Sequence, residues 1–426
     1  MTMTRRSLLR SLAALGAIGG VGALGFSRRL ARASGTGAKR FVLVFAGGGW
    51  DPTYVFDPKP GSAYVDMGVG ELAPFGSGQL WFDAARPSVT EYFNRYGAIT
   101  SVLNGINVPA VAHESCRVRM LTGSRDRTRP DLSALIGHEI GAATPMPCLD
   151  IGGGAYVGAL GADLGYLGER NQLASLVLPD RAQKPPDRQS WQRHFLTVEQ
   201  RATVRAFVET RAARERAGRA SRGVNAQRLD NFMLGLERAH RLHDYPDFFS
   251  AMSADKDFAA QAQIAASALA AGVSRTVNVR IGGGFDTHTD NHEQAGLFDT
   301  AFADFTALMD LLAATPSPDG GTLLDDTVVM LLSEMGRTPL LNDDDGKDHW
   351  PFTSGLIAGC GIRGAHITGA TTDTLVGETV DFETGDVSAS GDILNAENLI
   401  AGVLELFDID PGNHMPGVAS FRGFHA

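Results

Sequence analysis

The sequence predicts an α/β fold built on a mostly parallel sheet flanked by helices. The run Val328–Leu332 is continuously apolar and rich in β-branched residues, as strands buried on both faces are. Two further strand-like runs, Phe41–Phe45 and Thr276–Ile281, are separated from it by stretches with helical spacing. Strands that alternate with helices favour a parallel sheet with helices packed on its faces.

The other predicted elements continue this alternation. In chain order they are a helix over Ser88–Tyr96, a strand over Ile99–Ile106, a helix around His113–Gly123, and helices over Asp255–Gly272, Glu293–Leu312 and Asp392–Phe407. The segment 364–391 is rich in Thr, Gly and Asp, which suggests a small antiparallel part near the carboxyl end. We expect a single domain over 34–426.

Residues 183–245 interrupt the alternation. Pro185-Pro186 introduce a polar stretch, and from Thr197 to His243 Arg, Glu and Ala recur at helical spacing. We interpret the segment as a helical insertion that covers one flank of the domain. A lid or a partner-binding arm is the functional alternative.

The first 33 residues carry an export signal. Arg5-Arg6 precede the apolar run Ser11–Phe26, and Ala31-Arg32-Ala33 is a small-residue cleavage site. The apolar run has about 16 residues, fewer than the ~20 that span a bilayer, which disfavours a membrane anchor. We therefore expect twin-arginine export, a periplasmic or secreted location, and a mature chain with no stable membrane span.

The mature chain is acidic, which excludes nucleic acid as an expected partner. Without the six arginines of the signal, 32 basic residues face 48 acidic ones, a formal charge of −16. Binding a polyanion needs clustered Lys and Arg, and only the 201–222 region is basic. The three cysteines are few, odd in number and not at metal-type spacing, which argues against a disulfide framework.

Polar residues collect at the predicted strand exits, where open parallel sheets bind ligands. Phe41–Phe45 leads through Gly47-Gly48-Gly49-Trp50 to Asp51, and Thr276–Ile281 leads through glycines and Phe285 to Asp286. The potential ligands at these exits are Asp51, Asp286, His288, Asp290, His292, Glu334, Asp348 and His349. Carboxylates mixed with imidazoles suit zinc or manganese better than calcium, so a divalent metal of that kind is the expected cofactor.

The order of these motifs resembles the alkaline phosphatase superfamily, which includes sulfatases, and more narrowly the exported family called domain of unknown function 1501. The likeness runs from about Phe41 to Asp410. Ser333-Glu334-Met335-Gly336 lies where the superfamily has Ser-Asp-His-Gly, and Asp348-His349-Trp350-Pro351 lies where it has a metal-binding His. The resemblance implies an alkaline-phosphatase-like fold whose metal ligands are Asp51, Asp286, His288 or His292, Glu334 and His349.

The resemblance also implies catalytic residues. His113–Gly123 is similar to the sulfatase nucleophile helix and places His113 at the nucleophile, where it could attack, ligate metal or act as acid or base. Ser115 stays an alternative hydroxyl. Arg117 and Arg337 are expected to clamp substrate oxygens, whereas Lys347 is expected to be solvated.

The metal set divides in two because Met335, a thioether, replaces an expected ligand. Asp286, His349 and either His288 or His292 form the firmer site, and Asp51 with Glu334 would hold a second, weaker ion. The expected function is metal-dependent hydrolysis of phosphate or sulfate esters, with a small anionic ester or an envelope glycan as substrate. The alternative is a catalytically inactive metal- or anion-binding envelope protein of the same fold.

Overall fold

The computed structural model describes residues 39–167, 173, 177, 197–218, 222–252 and 257–426. The predicted export signal and residues 183–196 of the proposed insertion lie outside these residues. The strands are β1 Arg40–Ala46, β2 Glu71–Phe75, β3 Gly78–Phe82, β4 Thr100–Asn107, β5 Cys148–Asp150, β6 Leu164–Tyr166, β7 Thr276–Ile281, β8 Thr327–Leu332, β9 Gly336–Arg337, β10 His349–Trp350, β11 Phe352–Gly359, β12 His366–Thr368, β13 Thr379–Val380 and β14 Asp392–Ile393. The helices are α1 Pro87–Tyr96, α2 His113–Thr122, α3 Leu132–Ile140, α4 Val198–Ala217, α5 Gly223–Arg241, α6 Pro246–Ala251, α7 Phe258–Ala270, α8 Gln294–Ala314 and α9 Ala396–Leu406.

Within the described residues, the main sheet has eight strands in the order β12-β4-β11-β8-β1-β7-β5-β6. Its central strand, β1, pairs in parallel with β7 and with β8. Strand β11 runs antiparallel to both of its neighbours, β4 and β8, and the remaining pairs are parallel. The predicted mostly parallel sheet flanked by helices is therefore confirmed.

The central strands are apolar throughout because both faces of the sheet are covered. Every residue of β1 and of β8 is buried. Successive side chains of a strand point to opposite faces, so Val42 and Val44 pack with the helix residue Phe298, and Phe41 and Leu43 pack on the other face. The hydrophobic core on the face of Phe41 and Leu43 includes residues of α2, α3 and α9.

The predicted antiparallel carboxyl-terminal part is only partly antiparallel. Strand β12 joins the main sheet in parallel with β4, whereas β13 and β14 form a separate antiparallel pair. Helix α9 begins at Ala396 rather than at Asp392, because Asn395 and Asn398 cap it reciprocally. Among the described residues, no helix combines the length and the apolar character needed to cross a membrane.

The direction of β11 decides which loops meet. Strands β1, β4, β7 and β8 all end at one edge of the sheet, and β11, being reversed, begins there. The segment just before β11, which includes β10, therefore approaches the loops that leave the other strands. Gly48 lets the loops after β1 and β7 touch: its φ is +120°, and a Cβ atom there would lie 2.7 Å from the backbone N of Asp286.

Candidate metal centre

Three potential metal ligands meet beyond this edge, each from a different part of the chain. His113 begins α2 after β4, Asp286 follows β7, and His349 lies in β10 ahead of β11. One ligand atom of each lies within 4.8 Å of the others. His113 Nε2 is 3.2 Å from Asp286 Oδ2, and His349 Nε2 is 3.4 Å from Asp286 Oδ1. Neighbouring ligands with bonds of about 2.0–2.2 Å to one ion lie about 3–3.5 Å apart, so the spacing fits one divalent metal.

His288 lies beside this group, and His292 does not. His288 Nε2 is 3.2 Å from Asp286 Oδ1 and 3.0 Å from His349 Nε2. The imidazole of His292 is exposed, and within the described chain it has no hydrogen-bond or ion-pair partner. Of the two histidines left open by the sequence, the structure brings His288 to the cluster.

The hydrogen bonds of the outer ring nitrogens define the tautomers. Nδ1 of His113 is 2.9 Å from Glu334 Oε1, Nδ1 of His349 is 2.7 Å from the carbonyl oxygen of Val111, and Nδ1 of His288 is 3.0 Å from Asp348 Oδ1. Carboxylate and carbonyl oxygens only accept hydrogen bonds, so each Nδ1 carries the proton. In the neutral rings, all three Nε2 atoms are then left with a lone pair.

The three Nε2 atoms converge on one carboxylate. His288 Nε2 and His349 Nε2 face each other at 3.0 Å, and both adjoin the carboxylate of Asp286. Nε2 of His113 is buried and makes no hydrogen bond, although Asp286 Oδ2 is only 3.2 Å away. A metal ion bound between these Nε2 atoms and the carboxylate of Asp286 would satisfy all of them.

Asp286 is ionised at neutral pH. Burial opposes its ionisation, but a 2.7 Å hydrogen bond from Arg337 Nη2, the charge of that guanidinium and the nearby His113 outweigh it and lower the pKa of Asp286 to about 2. The side chain is 46% exposed, so its carboxylate can also be reached from solvent. It is the anionic member of the cluster.

Glu334 positions His113 instead of facing the cluster as a ligand. Its side chain is 5% exposed; Oε1 accepts from His113 Nδ1 and from the backbone N–H of Gly48 at 2.9 Å, and Oε2 accepts from Ser333 Oγ at 3.1 Å. Both oxygens are thus engaged within the protein. The structure does not support the expectation that Glu334 is a metal ligand.

Asp51 also departs from its expected role. Its Oδ2 is 2.8 Å from Lys347 Nζ, and both side chains are completely buried. Asn291 Nδ2 and Thr53 Oγ1 donate to the same carboxylate at 2.9 and 2.7 Å. The expectation that Lys347 is solvated is wrong: its ammonium group is buried and balances the charge of Asp51, whose predicted role as a ligand of a second ion stays a prediction.

The two arginines predicted to clamp substrate differ in accessibility. Arg337 is completely buried and donates to the carbonyl oxygens of Gly49 and Lys347, at 2.7 and 2.9 Å, as well as to Asp286. It cannot reach a substrate, so that expectation is contradicted for Arg337. Arg117 is 28% exposed and is held by Glu114 Oε2 at 2.7 Å and by the hydroxyl of Tyr156 at 3.0 Å.

A cleft of about 270 Å³ opens beside the cluster. Its lining residues are Phe45, Gly47, Gly48, His113, Glu114, Arg117, Arg280, Gly283, Gly284, Asp286 and Glu334. Ser115, the alternative hydroxyl, is exposed and is not among them. Sequence reasoning missed Arg280; the available signal was an arginine near the end of an otherwise buried strand.

Comparisons with known proteins place the chain in a family. The profile of a family described as protein of unknown function, DUF1501, matches residues 38–419. In the comparison with curated proteins, none matches this chain. Among solved structures, a 2-O GAG sulfatase is similar at 9% identity with a TM-score of 0.37, covering 91% of this chain and 76% of that one. A phosphonate monoester hydrolase of Agrobacterium radiobacter is similar at 12% identity with a TM-score of 0.30, covering 91% and 79%.

Proposed function

The chain belongs to the DUF1501 family, and for this member we propose metal-dependent hydrolysis of phosphate or sulfate esters. The observation that carries the proposal is the convergence of His113, Asp286 and His349, in which both Nε2 atoms lie within 3.4 Å of one carboxylate. Mixed imidazole and carboxylate ligands suit zinc or manganese. His288, whose Nε2 lies close to both Asp286 and His349, completes the proposed ligand set.

The proposed centre holds one ion rather than two. Lys347 balances Asp51, Glu334 is occupied by His113 and backbone, and Met335 is completely buried among apolar residues. Asp51, Glu334 and Met335 are the residues at which the family resemblance implies the second ion. A mononuclear site is therefore the form of the proposal that agrees with the contacts.

The described residues suggest how hydrolysis would proceed. A bound divalent ion would act as a Lewis acid toward an ester oxygen. Arg117, partly exposed in the same cleft, would donate to the non-bridging oxygens as their charge develops. No described residue that lines the cleft carries a hydroxyl or thiol, so water is the proposed nucleophile for in-line displacement. His113 then serves as a ligand held by Glu334.

Metal content tests the centre. The mature chain, residues 34–426, is prepared in three forms: wild type, Asp286→Ala and His349→Ala. Elemental mass spectrometry should find about one equivalent of zinc or manganese in wild type and a loss in both variants. His292→Ala is the matched control, because the exposed imidazole of His292 lies in the same β7–α8 connection as Asp286 but outside the cluster. Absence of metal from reconstituted wild type would refute the metal-dependent mechanism.

The alternative function is a catalytically inactive protein that binds metal or an anionic envelope glycan. The lack of a hydroxyl among the described cleft residues favours it. Turnover of aryl phosphate and sulfate esters separates the two functions. Activity that copurifies with wild type and disappears in Asp286→Ala supports the hydrolase, whereas bound metal without turnover of either ester supports the binding protein.

Export belongs to the same proposal and rests on Arg5-Arg6 and the apolar run that follows. A periplasmic or secreted location would bring the site to envelope glycans and small anionic esters. Replacing both arginines by lysine should leave the protein in the cytoplasm on cell fractionation. Unchanged export of that double variant would contradict the twin-arginine route.

A further inference from the structure

Arg280 is an exposed arginine in the wall of the cleft. Its position depends on the close packing of β7 against the loop after β1. It lies in β7, where its backbone N–H and carbonyl are both bonded to the side chain of Gln261, at 2.9 and 3.2 Å. Its guanidinium lies against Gly47 after β1: a Cβ atom at Gly47 would be 2.7 Å from Arg280 Nη2. The glycine therefore makes the space that the guanidinium occupies.

The other charged side chains of the cleft are already compensated. Arg117 pairs with Glu114 at 2.7 Å, and Asp286 pairs with Arg337 at 2.7 Å. Glu334 accepts from His113 at 2.9 Å. Arg280 differs, because within the described residues its guanidinium has neither a carboxylate within 4.0 Å nor a hydrogen-bond acceptor. The cleft thus contains one cation with all of its donors available.

We infer that Arg280 binds a second anionic group of the substrate. This inference rests on the proposed function and narrows its substrate class to esters that carry a carboxylate, sulfate or phosphate near the group to be cleaved. Arg280 and the candidate metal ligands line the same cleft of about 270 Å³. That volume is slightly below the roughly 300–1,000 Å³ of pockets that enclose drug-sized ligands, so it suits the charged end of a larger ester.

Equilibrium binding of two inert probes tests the inference. Phenylphosphonate and 4-carboxyphenylphosphonate differ by one carboxylate, and neither contains an ester bond. Calorimetry on the metal-loaded mature protein should show roughly five- to tenfold tighter binding of the carboxylated probe at low ionic strength, decreasing as salt is added. Arg280→Ala should weaken binding of the carboxylated probe until it matches that of phenylphosphonate in the same variant, whereas Arg280→Lys should keep part of the preference.

Arg275→Ala is the matched control. Arg275 immediately precedes β7, pairs with Asp319 at 3.3 Å and does not line the cleft, so its removal should leave the preference intact. Equal affinities of wild type for the two probes, binding of neither, or parallel weakening of both in Arg280→Ala would overturn the inference. Hydrolysis of 4-carboxyphenyl phosphate and 4-carboxyphenyl sulfate, whose carboxylate is the second anionic group that Arg280 would bind, is measured separately. A protein that discriminates the probes but cleaves neither ester would refute the hydrolase and retain the anion-binding role of Arg280.

Discussion

A buried lysine contacts Asp51, the residue that the sequence resemblance led us to expect as a metal ligand. Lys347 Nζ contacts Asp51 Oδ2 at 2.8 Å and the carbonyl oxygen of Asp66 at 2.7 Å. Removing one member of a buried ion pair leaves an uncompensated charge, which costs about 3–5 kcal/mol. We therefore expect Lys347→Ala to lower the free energy of unfolding by that amount in denaturant titrations. Lys39→Ala, whose side chain is 47% exposed, should change it by less than about 0.5 kcal/mol. Equal stability of the two variants would contradict this reading.

Glu334 gives the clearest prediction about metal affinity. It accepts a hydrogen bond from Nδ1 of His113 and thereby holds Nε2 of that ring beside Asp286. Partners of metal-bound histidines typically contribute about 10–100-fold to affinity, so Glu334→Gln should weaken zinc binding by that factor in a competition assay with a chelating dye. Glu114→Gln removes an acid that pairs with Arg117 and touches none of the histidines, and its affinity should match wild type. A Glu334→Gln protein with wild-type affinity would remove Glu334 from the positioning role.

For single residues, the sequence was enough to predict which residue types follow the strands. It was not enough to predict which residues they contact. The spacing of Asp286 and His349 after strand-like runs was enough to expect that they meet. Lys347, inside Gly346-Lys347-Asp348-His349, was expected in solvent because lysines are rarely buried without a partner. Its partner Asp51 lies 296 positions away, so no local pattern reveals the pair.

Among the elements, helix α8 supports the loops that carry the site. Its residue Phe298 is completely buried and stacks on Trp50 with ring centroids 5.6 Å apart. It also contacts Phe285 at 5.2 Å. Trp50 and Phe285 adjoin Gly49 and Asp286 in sequence, so the two glycine-rich loops rest on one aromatic ring.

Phe298→Ala should therefore affect stability and metal binding together. The lost packing should lower the free energy of unfolding by about 3–5 kcal/mol, and the loosened loops should weaken zinc affinity. Phe407→Ala is the control, because Phe407 is buried on the opposite face, where it packs edge-on against Phe41 at 6.0 Å. It should destabilise the protein and leave the affinity unchanged. Equal effects of both variants on zinc affinity would exclude a specific role for α8.

Strands and helices with strong periodicity were predictable, and strand direction was not. Helices predicted over Ser88–Tyr96 and Glu293–Leu312 are present as α1 and α8 with ends shifted by at most two residues. A buried strand has the same apolar character whichever way it runs, so the sequence of β11 did not indicate that it is antiparallel. That direction brings His349 to the edge where the other strands end.

For the whole molecule, metal binding and folding are linked. The ligand atoms of the candidate centre adjoin only in the folded chain, so an ion that binds there stabilises the native state. Zinc at 100 times its dissociation constant should raise the free energy of unfolding by about 2.7 kcal/mol, and a chelator should reverse the increase. In Asp286→Ala the same addition should have no effect, as followed by thermal or denaturant unfolding. An equal zinc-induced increase in the free energy of unfolding of Asp286→Ala would show that zinc binds elsewhere in the protein.

The reversed strand β11 also imposes an order on the maturation of the protein. The three candidate ligands lie in three different connections between strands: His113 after β4, Asp286 after β7 and His349 before β11. His349 reaches its position only when β11 inserts between β4 and β8. A nascent chain that has emerged as far as Asp286 already carries two of the three ligands, yet it lacks β8, β11 and β12 of the main sheet. The proposed metal site is therefore complete only after the carboxyl-terminal third has been synthesised, and an occupied site would require a finished fold.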